Sequence, residues 1–222
     1  MWLTIIIPIY HDDAALKHLI KRLSSWDLSG IDVLIIDGEN RDRPDFLPKF
    51  VKYLNSVPNR GKQLHLGGSV ARTNKLLFLH ADSKFSTAPI SLLKSTKVNV
   101  GFFTLRFDDN STFFSILAFM SNLRAKKFKL IFGDQGFFVT KSLYSKVGGF
   151  PEQPLMEDWE LSKRLSKVES EFVEFPISIY TSSRKYINEG KVRTFFKMQL
   201  IKILYKSGMK PSALSKVYYR RR

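Results

Sequence analysis

Residues 76–83 read LLFLHADS. Four apolar residues in a row leave no polar face, which predicts a strand covered on both sides, as in a parallel sheet. The strand is expected over 75–82, KLLFLHAD, and it closes on a carboxylate, Asp82. Two earlier runs have the same character: LTIIIPI at 3–9 and IDVLIIDG at 31–38. Between them, HDDAALKHLIKRLSSW sets Leu16, Leu19, Ile20 and Leu23 on one helical face, with Asp12 or Asp13 as N-cap. Strands separated by helical segments predict βαβ units and a parallel sheet. Ligands of such sheets bind beyond the carboxyl ends of the strands. Tyr10, Asp37 and Asp82 fall there.

From Glu39 to about residue 55 the chain reads as helical or irregular, and KQLHLGGSVAR at 62–72 as a glycine turn into a helix. NVGFFTLRF at 99–107 predicts a strand and TFFSILAFMSNLRAKKF at 112–128 a helix. FGDQGFFVTKSLYSKVGGF at 132–150 predicts a turn, a strand, a short helix and a glycine turn. MEDWELSKRLSKV at 156–168 is a helix with two acids at its start, and FVEFPISIYTSS at 172–183 is a last strand. KVRTFFKMQLIKILY at 191–205 is an amphipathic helix. There is no internal repeat.

A chain of 222 residues suits one domain with a small appendage, and 44% hydrophobic residues are enough for a full core. The absence of cysteine excludes disulfides and thiolate metal sites and fits a reducing, cytoplasmic setting. The opening MWLTIIIPIYHDD lacks a basic n-region and a small-residue cleavage site, so it reads as a first strand. No run approaches the ~20 apolar residues that span a bilayer.

The net charge of +16 points to a polyanionic partner. Its distribution is uneven. From Arg184 to Arg222 there are twelve Lys and Arg against one acid, Glu189, so this segment carries +11 of the total. The charge is a local surface.

Several residues suggest chemistry. Asp82 at a strand end suits Mg²⁺ or Mn²⁺, hard cations that take oxygen ligands, or else it caps a turn. Asp37 either forms a plain Asp-Gly turn or accepts hydrogen bonds from a base or ribose. RGKQLHLGG places Arg60, Gly61, Lys62 and Gln63 in a basic loop that is either flexible or a phosphate cradle. It is neither a Walker A loop nor a G-x-G-x-x-G turn. Glu157 and Asp158 open a helix, either as dipole-favoured capping acids or with one of them as a general base. Asp134 is a helper or an acceptor contact.

Taken in order, IIIPIYHDD, VLIIDGEN, NRGKQLHLGGSVARTNKLLFLHADS, FGDQGFFVTKSLYSKVGGF and MEDWELSKRL resemble a family 2 glycosyltransferase. The nearest subgroup is the small bacterial radical-SAM/selenodomain-associated transferases. The resemblance runs over roughly residues 3–220. It implies an α/β GT-A fold with a mostly parallel central sheet, an inverting mechanism and a UDP- or GDP-sugar donor. It also implies a division: a catalytic domain over 1–183, with a nucleotide-binding half at 1–83 and an acceptor half at 84–183, and a basic helical extension over 184–222. By motif position, Pro8, Tyr10 and Asp37 would line the base and ribose pocket, and Arg60, Gly61 and Gln63 would lie along the donor. His80, Ala81 and Asp82 stand where the family has its D-x-D motif, with Asp82 as ligand of a divalent cation. Asp158 takes the place of the base, beside Glu157. Arg184 and Arg193 would hold the leaving diphosphate. Two departures stand out: DGEN lacks the second acid of the commoner D-G-S-x-D, and His80 replaces the first acid of D-x-D.

Rival readings use the same residues differently. His80 and DGEN allow a non-catalytic binder of nucleotide sugars. The basic tail allows a nucleic-acid module, although no RRM, KH or zinc-finger pattern occurs and no nucleic acid is expected. The tail helix, with Phe196, Leu200, Ile203 and Leu204 on one side, either packs on the domain or lies peripherally on an anionic membrane, which would suit a lipid-linked acceptor.

Overall fold

The computed structural model describes residues 1–219, so the three arginines at 220–222, part of the basic tail, lie outside it. The chain runs through β1 (Leu3–Ile9), α1 (Asp13–Leu23), β2 (Ile31–Asp37), β3 (Val51–Asn55), α2 (Arg60–Val70), β4 (Lys75–Phe78) and β5 (Lys84–Phe85). It continues through α3 (Ile90–Ser95), β6 (Val100–Phe107), α4 (Thr112–Phe128), a 3-10 turn (Gly133–Gln135), β7 (Phe137–Thr140) and α5 (Lys141–Lys146). Then come α6 (Glu157–Leu165), β8 (Val173–Thr181), α7 (Arg184–Glu189), α8 (Lys191–Lys206) and α9 (Pro211–Tyr219).

One eight-stranded sheet has the order β3-β2-β1-β4-β7-β6-β8-β5. β1, β2, β3 and β4 are parallel, and β8 is parallel to β6. β7 runs antiparallel between β4 and β6, and β5 is antiparallel to β8. The expected α/β class and mostly parallel sheet hold. The reversal at β7 places the site. Phe78, the last residue of β4, pairs with Phe137, the first of β7. The turn that leads into β7 therefore meets the residues that leave β4.

The apolar runs are explained by burial on both faces. Ile5 and Ile7 of β1 pack with Leu16 and Leu19 of α1. Ile6, on the opposite face, packs with Ile36, Leu64 and Phe78. A third, smaller cluster joins Met156 and Trp159 to Ile201 of α8 and Leu214 of α9. The C-terminal helices are thus fastened over α6.

Three expectations are corrected. The segment before residue 55 contains the edge strand β3, whose mostly exposed side chains leave no apolar run. The supposed basic loop at 60–68 is helical from Arg60 onward, capped by Asn59, whose side chain accepts from Lys62 N at 3.1 Å. β4 ends at Phe78, and Asp82 lies in the turn beyond it.

Candidate active site

Two cavities adjoin beyond the ends of β1 and β4. The first, about 650 Å³, is lined by Pro8, Tyr10, Arg60, Gln63, Ala81 and Asp82 among others. The second, about 350 Å³, holds Asp134, Asp158, Arg124, Lys185 and Lys202. Arg60, His80, Asp82 and Tyr219 line both. The expected donor residues Pro8, Tyr10, Arg60, Gln63, Ala81 and Asp82 therefore come together, with Asp158 next door.

Local packing fixes this arrangement. Gln63 donates from Nε2 to Ile9 O at 2.7 Å and to Ile36 O at 2.8 Å, tying α2 to the ends of β1 and β2. Gly61 lines neither cavity; a Cβ there would strike the carbonyls of Pro151 and Gln153. Glycine lets α2 approach that loop and sets Arg60 opposite α6. Gly61→Ala is expected to cost about 2 kcal/mol, a Tm loss of roughly 4–8 °C. An unchanged Tm would show that the loop at 151–153 gives way freely.

Arg60 faces two acids of α6. Its Nε pairs with Glu157 Oε1, and its Nη2 donates to Asp158 Oδ2 at 2.8 Å. Gly133 N donates to the same Oδ2 at 3.0 Å. Ser162 clamps α6 to this turn: its Oγ accepts from Ile131 N at 3.0 Å and donates to Ile131 O at 3.1 Å. Burial pushes the Asp158 carboxyl up to about 7; Arg60 opposes the shift, and Glu157 and Asp134 add to it. Burial, with Arg60 adding to it, lowers the His80 imidazole to about 4, so it is neutral at pH 7. A Cβ on Gly133 would collide with His80 Nε2, so this glycine too permits a close approach.

Burial also raises the Asp82 carboxyl. Among the described residues no three His, Cys, Asp or Glu side chains converge as a metal cage. Asp134 Oδ1 is buried without a hydrogen-bond partner in the second cavity. His80 and Asp82 line both cavities with no third such ligand converging on them among the described residues, so a cation here would have to take its remaining oxygens from a phosphate.

Other expected residues lie elsewhere. Asp37 is fully buried and lines neither cavity. Its oxygens accept from Arg41 Nε at 2.9 Å, Tyr53 OH at 2.9 Å and Glu39 N at 2.8 Å. Arg41 also pairs with Asp13, and the N-cap of α1, Asp12, makes no side-chain capping bond. Glu157 is buried behind Arg60, outside both cavities. Arg184 is exposed, 3.9 Å from Asp12, and Arg193 is exposed on α8. Neither lines either cavity. Sequence reasoning did not find Arg124, Lys185, Lys202, Tyr218 or Tyr219. None belongs to a local motif, and only tertiary packing brings them in: α8 and α9 pack on Met156 and Trp159 at α6, and Tyr186 of α7 packs on Phe114 of α4.

No family model matches the chain, and no curated protein matches it in sequence. Solved structures do match. S. aureus TarS is 12% identical with a TM-score of 0.63, over 98% of this chain and 42% of that one. A TarS fragment in complex with UDP is 13% identical with a TM-score of 0.63, over 98% of this chain and 70% of the fragment. The mannosyltransferase PcManGT from Pyrobaculum calidifontis, in complex with GDP-Man and Mn²⁺, is 16% identical with a TM-score of 0.67, over 98% and 68%. The chain thus spans less than half the length of the TarS chain. It has the GT-A glycosyltransferase fold.

Proposed function

We propose that the chain is an inverting glycosyltransferase that moves a hexosyl unit from a UDP- or GDP-sugar to a hydroxyl acceptor. The ordered motifs support family 2, nearest the radical-SAM-associated subgroup. One observation carries the reading: Asp158, a buried carboxylate with its pKa near 7, stands in a cavity that shares Arg60, His80 and Asp82 with the cleft at the strand ends. A general base works best with a pKa near the operating pH. Both bonds described for Asp158 land on Oδ2, so Oδ1 is the oxygen that takes the acceptor proton.

Pro8 and Tyr10 would flank the nucleoside, and Arg60 would reach toward the donor. His80 and Asp82 would hold Mn²⁺ or Mg²⁺. Such an ion, when bound, offsets the charge on the departing diphosphate. The two neighbours with nucleotide ligands, one with UDP and one with GDP-Man and Mn²⁺, support the donor class.

A thermal-shift screen of UDP, GDP, CDP and TDP, with and without Mn²⁺, tests the donor site. At a hundred times Kd, one of them should stabilise the protein by about 2.7 kcal/mol, roughly 5–10 °C for a chain of this size. No shift with any nucleotide would remove the donor site.

A further inference from the structure

The second cavity continues into a third, about 440 Å³, that runs outward between α4, α6 and α8. The wall shared by the two includes Arg124 and Lys202. Apart from Lys206, the groove outward from these cations is apolar, with Met120 and Phe128 of α4 facing Phe195 and Ile203 of α8. Phe128 is 68% exposed and Ile203 62%. The apolar surface does not stop at the groove. α8 turns Val192, Phe196, Leu200 and Ile203 to solvent along one stripe, and α4 turns out Ile116, Phe119 and Met120. Of the side read as either packing on the domain or facing a membrane, Phe196, Leu200 and Ile203 face outward, while Leu204 packs inward with Ile201. Exposed apolar side chains on two helices that line one groove mark an interaction surface.

The cations at the inner end lack carboxylate partners. Arg124 stacks on Phe132 at 3.8 Å and donates to Leu130 O at 3.1 Å and Gln135 Oε1 at 2.9 Å. Lys202 lies over the same ring at 5.4 Å. Neither takes part in a salt bridge among the described residues, although the field of Asp134 reaches both. Burial, and then the neighbouring Arg124, push the Lys202 ammonium down to about 8. Two half-buried cations without a carboxylate form a site for an anion.

We infer that this groove binds the phosphate and chain of a lipid-linked acceptor, with the phosphate at Arg124 and Lys202 and the apolar chain between α4 and α8. The inference rests on the glycosyltransferase reading above, since it directs the acceptor hydroxyl into the cavity of Asp158. Charge selects the occupant: an uncharged lipid would leave the cations unpaired, and a free phosphate would leave the groove unfilled.

Calorimetric titration with dodecyl phosphate below its micelle concentration, against dodecanol and inorganic phosphate, tests this. Dodecyl phosphate should bind at least about tenfold tighter than either control. Lys202→Gln should weaken it roughly tenfold or more, the weight of a charge-assisted hydrogen bond. The exposed Phe128→Ser should weaken dodecyl phosphate but not inorganic phosphate. Equal affinity for dodecyl phosphate and inorganic phosphate, or no effect of Lys202→Gln in a protein of unchanged Tm, would overturn the inference. Flotation with phosphatidylglycerol vesicles that ignores Lys202→Gln, without dodecyl phosphate binding, would also overturn it in favour of a general anionic surface. The nucleotide thermal shift, read on the same wild-type protein, reports the donor site separately. A shift without alkyl-phosphate binding sinks only this inference; the reverse sinks the donor reading and leaves the groove an alkyl-phosphate site with no acceptor role.

Discussion

Asp158→Asn is expected to cut transfer by roughly 10²–10⁴-fold while the nucleotide thermal shift persists. Asparagine keeps an oxygen for Gly133 N, and Arg60 keeps Glu157. Only the proton acceptor is lost. Wild-type kcat/KM should rise about tenfold per pH unit below about 7 and level above it, because the base acts when unprotonated. The variant's residual rate should lose that limb. Stability carries the same signature. Folded Asp158 keeps a proton that the unfolded chain releases above 3.8, so its contribution falls as pH rises from about 4 to about 7. His80 acts in the opposite sense: its folded value is depressed from 6.5 to about 4, so its contribution grows with pH across nearly the same window. The difference between wild type and variant isolates the Asp158 slope. Full activity in Asp158→Asn would remove it as the base.

Arg60→Ala is expected to be the most destabilising single change at the site. It leaves Glu157, fully buried, and Asp158, nearly so, without their cation. Breaking a buried pair in this way costs several kcal/mol. Arg60 is itself 39% exposed, so water recovers part of the loss, and about 3 kcal/mol, roughly 6–12 °C in Tm, is the expected size. The loss should be larger at pH 8, with Asp158 ionised, than at pH 5, where Asp158 holds its proton. Equal losses at both pH values would assign the effect to packing. Arg60→Lys should recover only part, because an ammonium cannot reproduce a guanidinium fork that spans two carboxylates.

The parts legible in the sequence were those whose burial is complete. β1 and β2 are covered on both faces, so their apolar runs show without alternation and their limits fall within a residue of those read. α4 was read at its full length although one side of it is exposed, and α6, read over 156–168, ends at Leu165. β3 was missed because an edge strand with exposed side chains resembles a polar connection. The start of α2 was missed because a helix with Gly61, Gly67 and Gly68 is made of poor helix formers; they are there for close approach, Gly61 to the loop at 151–153, Gly67 to Ile6 and Gly68 to Tyr144. Asp82, Asp158, Arg60 and Gln63 reached the cavities as motif order implied. Asp37 did not, because the local network of Arg41 and Tyr53 uses its oxygens. The cations of the outer groove could not be read at all. Arg124 and Lys202 lie 78 positions apart on different helices and meet only through tertiary packing.

The ends of the sheet decide how the molecule behaves in a crowd. β5 has two residues, too few to template another strand. β3 carries Lys52, and Arg43 donates to the carbonyls of Pro48 and Val51 beside it. Open strand edges seed pairing between chains, and short or basic edges discourage it. Amyloid-like strand addition is therefore poorly served at either end. The exposed apolar surface of this protein is helical, so the contacts open to it at high concentration are between helix faces and not between strand edges.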